Sequence, residues 1–354
     1  MIYNMPEYWL MKKADPIGPY LTFSSPSSFT LKVNDARKHW KGTLEYSTDT
    51  STWSTWNGVT TLSSATKGSD NVLYLRGTGN TVITGSSPKY RWVLTGSDIS
   101  CTGNIENILD YATVESGSHP NMAGYCYAYM FRNCTSLTQA PALPATTLKS
   151  NCYSYMFKGC TALTQAPALP ATTLAYDCYY QMFSDCTSLI QAPVLPATTL
   201  AEACYLSMFS GCTSLIQAPA LPATILAGTC YSSMFGGCTS LIQAPALPAT
   251  SLASSCYDGM FYNCSSLTQV PALPATEFWE GCYFDMFNGC TSIKLSSTKT
   301  GEYIQEYRIP VSGDGDIDDL FNPLADMFTN TGGTFTGTPS INTTYYLSNT
   351  NTVV

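Results

Sequence analysis

A block that begins Cys126-Tyr127 returns at Cys152, Cys178, Cys204, Cys230, Cys256 and Cys282 with a strict 26-residue period. Each copy reads close to C-Y-x-x-M-F-x-x-C-T-S-L-x-Q-A-P-A-L-P-A-T-T-L-x-x-x. A unit this short cannot bury its own apolar face. Copies must therefore stack and share one continuous core, with atypical units closing the two ends.

Within a unit, Cys126, Met130 and Cys134 are spaced i, i+4, i+8, and Phe131 lies at i+4 from Tyr127. Two adjacent stripes at that spacing predict a helix of two turns. Leu137 then plugs the core from a short strand around 138–140. Pro141 and Pro144 impose a polyproline-like return arm, because proline can neither donate to a ladder nor continue a helix. The column Gln139, Gln165, Gln191, Gln217, Gln243 and Gln269 is placed to form an amide ladder from copy to copy. Helix, strand and arm together predict an α/β solenoid.

The rest of the chain divides around this array. Residues 1–17 read as an extended leader. Over 18–96 the apolar period changes to two, as in Phe29, Leu31 and Val33 or Tyr90, Trp92 and Leu94, with turn clusters between runs; a small all-β, sandwich-like domain is expected. Residues 97–125 hold a short helix led by Asn104 and serve as the N-terminal cap. Seven repeats occupy 126–295. Over 296–354 a strand-like Tyr303, Gln305, Tyr307, Ile309 alternation is followed by Asp326-Met327-Phe328, which echoes Asp285-Met286-Phe287 and reads as a degenerate repeat forming the C-terminal cap.

The M-F-x-x-C-x-x-L core followed by an L-P arm resembles the BspA-like, Treponema pallidum-type leucine-rich repeats, where A-F-x-x-C-x-x-L precedes an I-P segment. The likeness covers about 126–295 and recurs seven times. Met stands here where the family has Ala before Phe, and the doubled Pro is associated with repeat proteins of gut bacteria and their phages. The resemblance implies a solenoid of leucine-rich-repeat type. It also implies an adhesive role, since family members are surface adhesins or virion proteins that bind host proteins or glycans.

Charged residues make up 11% of the chain and the net charge is -8. Nucleic acid is excluded on that balance, because phosphate binding needs clustered Lys and Arg. Anionic membranes are disfavoured for the same reason, and no stretch approaches the roughly 20 apolar residues of a spanning helix. The start MIYNMPEYWLMKKADP places its basic pair after its apolar residues, which is not a secretory order. A virion or an extracellular, cell-surface location is expected, with release by host lysis as one route. Of fifteen cysteines, fourteen fall in the columns Cys126–Cys282 and Cys134–Cys290, and Cys101 is the remainder. Their side chains should run parallel along the stack rather than toward one another, which predicts free, buried thiols.

Chemistry for catalysis is missing from the sequence. His39 and His119 lie outside the repeats without a supporting nucleophile motif, so a non-enzyme is expected, with no cofactor. The seven-residue gap between paired cysteines does not match zinc spacing, and no metal is expected. Asp314, Asp316 and Asp318 superficially resemble a calcium loop, but Ala325 occupies the place of the bidentate Glu. Asp318 or Asp319 as the cap of a helix through Met327 is the simpler expectation.

Divergence between copies is confined to three windows: the pair after Cys-Tyr, the pair before the second Cys, and the three residues before the next Cys. Nearly all charges of the array fall there, as do Tyr129, Tyr155, Tyr176, Tyr180, Tyr262, Trp279 and Phe284. Solvent-facing drift explains such variation without function. The aromatic content argues otherwise, since exposed Tyr and Trp on a rigid frame give large contact area at low entropy cost. The seven aromatics are the candidate ligand-binding residues, presented on the helical edge. The expected function is adhesin or phage tail or head fibre protein, held to other virion or surface proteins through its N-terminal region; the alternative is a purely structural virion component.

Overall fold

A computed structural model describes residues 18–310, 312–313 and 322–354. The expected leader at 1–17 and the aspartates Asp314, Asp316, Asp318 and Asp319 lie outside the described residues.

Strands β1 (Leu21–Ser25), β2 (Thr30–Val33), β3 (Thr43–Ser47), β4 (Ser54–Thr55), β5 (Leu62–Ser63), β6 (Ala65–Lys67), β7 (Asp70–Thr78), β8 (Trp92–Thr95) and β9 (Ile99–Thr102) precede helix α1 (Asn107–Glu115). Strand β10 (Leu137–Gln139) lies in the first repeat. One sheet runs β10-β9-β1-β7-β3-β4 with β6 beside β7, and a second runs β5-β2-β8. Alternation explains the burial: Leu21 and Phe23 in β1, and Leu31 and Val33 in β2, point inward while their neighbours do not. Trp40, Trp56 and Trp92 pack in sequence at 5.3 and 5.6 Å between ring centroids, and Trp92 meets Phe131 of the first repeat edge-on at 6.0 Å. Main-chain bonds continue the joint, Ile83 N–H donating to Cys126 C=O and Trp92 N–H to Met130 C=O. The β region thus closes the exposed end of the repeat array.

The helix starts at Asn107, three residues later than its expected cap. Asn104 instead accepts from the Glu106 N–H at 2.8 Å, a side-chain turn that precedes the helix.

The expected α/β solenoid is not what the repeats form. Among the described residues α1 is the only α-helix; the remainder is strand, turn and loop in several small sheets, with no closed barrel. The Cys-Tyr-x-x-Met-Phe-x-x-Cys segment is a chain of tight turns. In the first copy Tyr125, Tyr129 and Asn133 have φ of 58°, 63° and 61°, and in the second Asn151, Tyr155 and Gly159 have 57°, 58° and 72°. A left-handed residue at every fourth position is incompatible with an α-helix. The hydrogen bonding confirms the difference. Met130 N–H donates three residues back to Tyr127 C=O, whereas the Tyr129 and Phe131 N–H groups leave the unit and donate to Ser154 and Met156 C=O of the next copy. Alternate amides thus serve the turn and the stack, and from Tyr127 to Cys134 every backbone N–H finds a carbonyl without a helix.

Register between copies is close to translational. Tyr127, Tyr153, Tyr179, Tyr205, Tyr231, Tyr257 and Tyr283 stack at 5.7–6.0 Å between centroids. The phenylalanine ladder from Phe131 to Phe287 continues to Phe328 at 5.5 Å, with Phe287 N–H donating to Met327 C=O. Residues 323–329 therefore form a further layer on the seventh repeat. The Gln column is where the return arms meet, through main-chain bridges such as Gln165 with Gln191 and Gln217 with Gln243.

All fifteen cysteines are free and buried. Cys160, Cys212 and Cys238 each donate Sγ–H at 3.1 Å to the carbonyl of a phenylalanine in the preceding copy. Burial pushes thiols such as Cys186 and Cys238 up to about 12, so they stay protonated and inert at neutral pH.

The chain end wraps back over the last copies. Strands β11 (Gln269–Val270), β12 (Glu277–Phe278), β13 (Leu295–Ser296), β14 (Tyr303–Arg308), β15 (Ser312–Gly313), β16 (Thr344–Ser348) and β17 (Thr352–Val353) form three small sheets, pairing β11 with β17, β12 with β15, and β16 with both β13 and β14.

Candidate recognition surface

The turns give each repeat one outward face, made chiefly of the second residue after Cys-Tyr and the two before the second Cys, while the first residue after Cys-Tyr is buried in Ala128, Ser154 and Ser232. The left-handed backbone decides part of what these positions hold. The position before the second Cys carries only Asn133, Gly159, Asp185, Gly211, Gly237, Asn263 and Gly289, the residue types that adopt positive φ most readily. That column is constrained rather than drifting.

The column of Tyr129 and Tyr155 has the same backbone but different occupants. Later copies place Gln181, Ser207, Ser233, Gly259 and Asp285 there, all at positive φ. A bulky residue at positive φ is an outlier. Two of them stand in adjacent copies, their rings stacked at 4.6 Å with 10° between planes, and Tyr180 meets Tyr155 edge-on at 4.8 Å.

Cations flank this ladder. The Arg132 guanidinium lies 5.8 Å from the Tyr129 ring and 5.7 Å from the Tyr155 ring, and its Nε is buried with no hydrogen-bond partner. Lys158 sits 6.0 Å from the Tyr155 ring, donates to Gln181 Oε1, and lies 3.6 Å from Asp185. Gln181 Nε2 in turn donates to the Tyr180 hydroxyl at 3.0 Å. Burial raises the Tyr129 phenol, and burial with the Tyr180 hydrogen bond raises that of Tyr155, so these two phenols stay protonated through the physiological range.

The seven aromatics expected at the surface therefore separate. Tyr129, Tyr155 and Tyr180 form one contiguous group. Tyr176 is exposed beside Asp177, whose charge is the main cause of its raised phenol. Tyr262, 42% exposed, walls a concavity farther along the same face, which also contains Asp258 and Asp285. Trp279 is exposed in the loop before the seventh copy, and Phe284 is half-buried. The presenting edge is one of turns, correcting the helical edge expected from the spacing. Sequence comparison of the copies singled out the large residues; the small ones, Gly236 and Gly259, were legible only as missing side chains in otherwise filled columns.

Burial, then the neighbouring charge of Asp285, pushes the Asp258 carboxyl up to about 6. A folded value above the unfolded one means that the folded state binds the proton more tightly. Stability contributed this way is complete below the unfolded value of 3.8 and is lost as pH rises through about 6. Asp258→Asn should therefore raise the thermal midpoint at pH 7.5 and leave it unchanged at pH 3.5, as read by melting curves of both proteins. Equal shifts at the two pH values would contradict the assignment.

Among the described residues no group of three or more His, Cys, Asp or Glu is placed to hold a metal ion, and no helix is long and apolar enough to cross a membrane. Comparison with protein-family models, curated proteins and solved structures finds no match to this chain.

Proposed function

We propose that the turn face is a recognition surface and that the protein is a non-enzymatic adhesin or phage virion protein, a tail or head fibre component that attaches to a host-cell protein or glycan. Virion or cell surface is its place in this reading, with the N-terminal region as the mount. The observation that carries it is the pair Tyr129 and Tyr155. Both occupy left-handed positions that Ser, Gln or Gly fill in other copies, so the stack does not demand them. Strained or rare backbone conformations persist where function retains them, and stacked, cation-flanked tyrosines are rigid contact area. The likeness of the repeat motif to BspA-like sequences supports the same role.

A variant with Tyr129→Ser, Tyr155→Ser and Tyr180→Ser tests it. Its melting should stay close to that of the parent, while attachment to a panel of gut bacterial cells should fall at least tenfold, each aromatic anchor being worth roughly 1–2 kcal/mol. Unchanged attachment by a folded variant rejects the reading.

One observation favours the alternative of a structural virion component. Ile190, Ile216 and Ile242 form an exposed column just before the proline arms, and Val194 is 77% exposed beside a groove of about 640 Å³. An apolar strip of that kind suits packing against virion neighbours. In that case Ile216→Ser would impair assembly and the tyrosine variant would be silent.

A further inference from the structure

Along the turn face the outward side chains fall away in the fifth and sixth copies. Gly236 stands in a column that elsewhere holds Arg132, Lys158, Ser184, Ser210, Tyr262 and Asn288. Gly259 stands in the column of Tyr129 and Tyr155. The backbone does not require either glycine. Gly236 is not at positive φ, and a Cβ built on it would approach nothing nearer than 3.4 Å, which is ordinary contact. Gly259 has φ of 54°, but all six counterparts of Gly259 adopt positive φ with side chains. The fold accepts a side chain at Gly236 outright, and one at Gly259 once the Ser233 hydroxyl, 3.2 Å from the new Cβ, turns aside; the sequence omits both.

The result is the concavity of about 480 Å³ beside Tyr262. One wall is the tyrosine; the others offer the carboxylates of Asp258 and Asp285, the Asn263 amide and the Ser233 hydroxyl, over a glycine floor. No Lys, Arg or His lines it. This combination selects among ligands. Anions meet two carboxylates and no cation. Apolar ligands find a single aromatic wall among polar groups. A ring with hydroxyls at its edge and C–H bonds on its face matches on both counts, since hydroxyls donate to carboxylate and amide oxygens while the C–H face lies on the tyrosine.

We infer that this trough is a subsite for a neutral saccharide residue. The inference rests on the turn face being a recognition surface and names the ligand class at one part of it.

Saturation-transfer NMR on the full chain tests it, with methyl glycosides of glucose, galactose, mannose and N-acetylglucosamine as probes and with glucuronate and propylammonium as the anionic and cationic comparisons. At least one neutral glycoside should receive saturation, and glucuronate should not. The signal should fall at least tenfold in Gly236→Tyr, where the new ring can stack on Tyr262 and fill the trough, and should survive in Gly236→Ser, which copies Ser210 of the preceding repeat. Tyr262→Ala should lower it several-fold, and decides the matter if Gly236→Tyr melts early. Transfer to no neutral glycoside, to glucuronate equally, or to propylammonium alone overturns the inference, as does a signal that Gly236→Tyr leaves intact. Loss of cell attachment in the triple tyrosine variant together with a silent trough would overturn this inference alone and leave the recognition surface standing.

Discussion

Replacing Phe209 by Ala should cost about 3–5 kcal/mol, the range for deep aromatic truncation. Phe209 is fully buried, stacked on Phe183 at 5.7 Å and on Phe235 at 5.8 Å. In an array whose units contact only their neighbours, a side chain in the middle belongs to two interfaces at once. Its loss leaves a cavity bounded by both. The carbonyl of Phe209 also accepts from Cys212 N–H and Cys238 Sγ, so the surrounding backbone is fixed and cannot collapse to fill the space. Urea denaturation followed by tyrosine fluorescence measures the effect. An unchanged midpoint would mean that the phenylalanine ladder is not the core.

Gly77→Ala should be nearly as damaging, for the opposite reason. Gly77 lies in β7 against α1, and a Cβ there would stand 1.9 Å from Ile108 O and 2.5 Å from Ile108 C. Both atoms are main chain, so relief requires moving the helix rather than turning a side chain. Overpacking of this kind costs about 1–3 kcal/mol and sometimes more, and backbone obstruction puts this case at the upper end. Gly301→Ala is the control, since a Cβ there meets nothing within 4 Å and its φ lies outside the left-handed region. Thermal denaturation should show a large drop for the first and almost none for the second; similar melting of the two would contradict the packing of α1 on β7.

Much of the stacking was legible in the sequence, because a 26-residue period leaves few other ways to bury Tyr127, Met130, Phe131 and Leu137. The secondary structure was not. A turn that repeats every four residues places Cys126, Met130 and Cys134 on one side as an α-helix of 3.6 residues per turn does, and over nine residues the two periods are almost indistinguishable. The discriminating signal was the column from Asn133 to Gly289, which holds only Asn, Asp and Gly. A surface helix has no reason for that restriction; a left-handed position does. For the candidate surface, comparison of copies found Tyr129, Tyr155 and Tyr180 but gave no means of grouping them, since contact between Tyr155 and Tyr180 depends on a one-position offset between adjacent copies. The trough escaped notice because it is made by absent side chains.

The turn-built repeat is the claim on which the presenting face depends, and Gly237→Ala tests it most directly. Gly237 has φ of 76°, and a Cβ on it would meet nothing nearer than 3.7 Å, so sterics with neighbours do not enter. Only the backbone preference is measured. In a left-handed turn, alanine should destabilise the protein by about 1–2 kcal/mol. In a helix the same substitution should stabilise it by about 0.5–1 kcal/mol. Equilibrium denaturation of the variant therefore gives a sign as well as a size: a lower midpoint is the result expected here, and a higher one would contradict the turn architecture and the surface built on it.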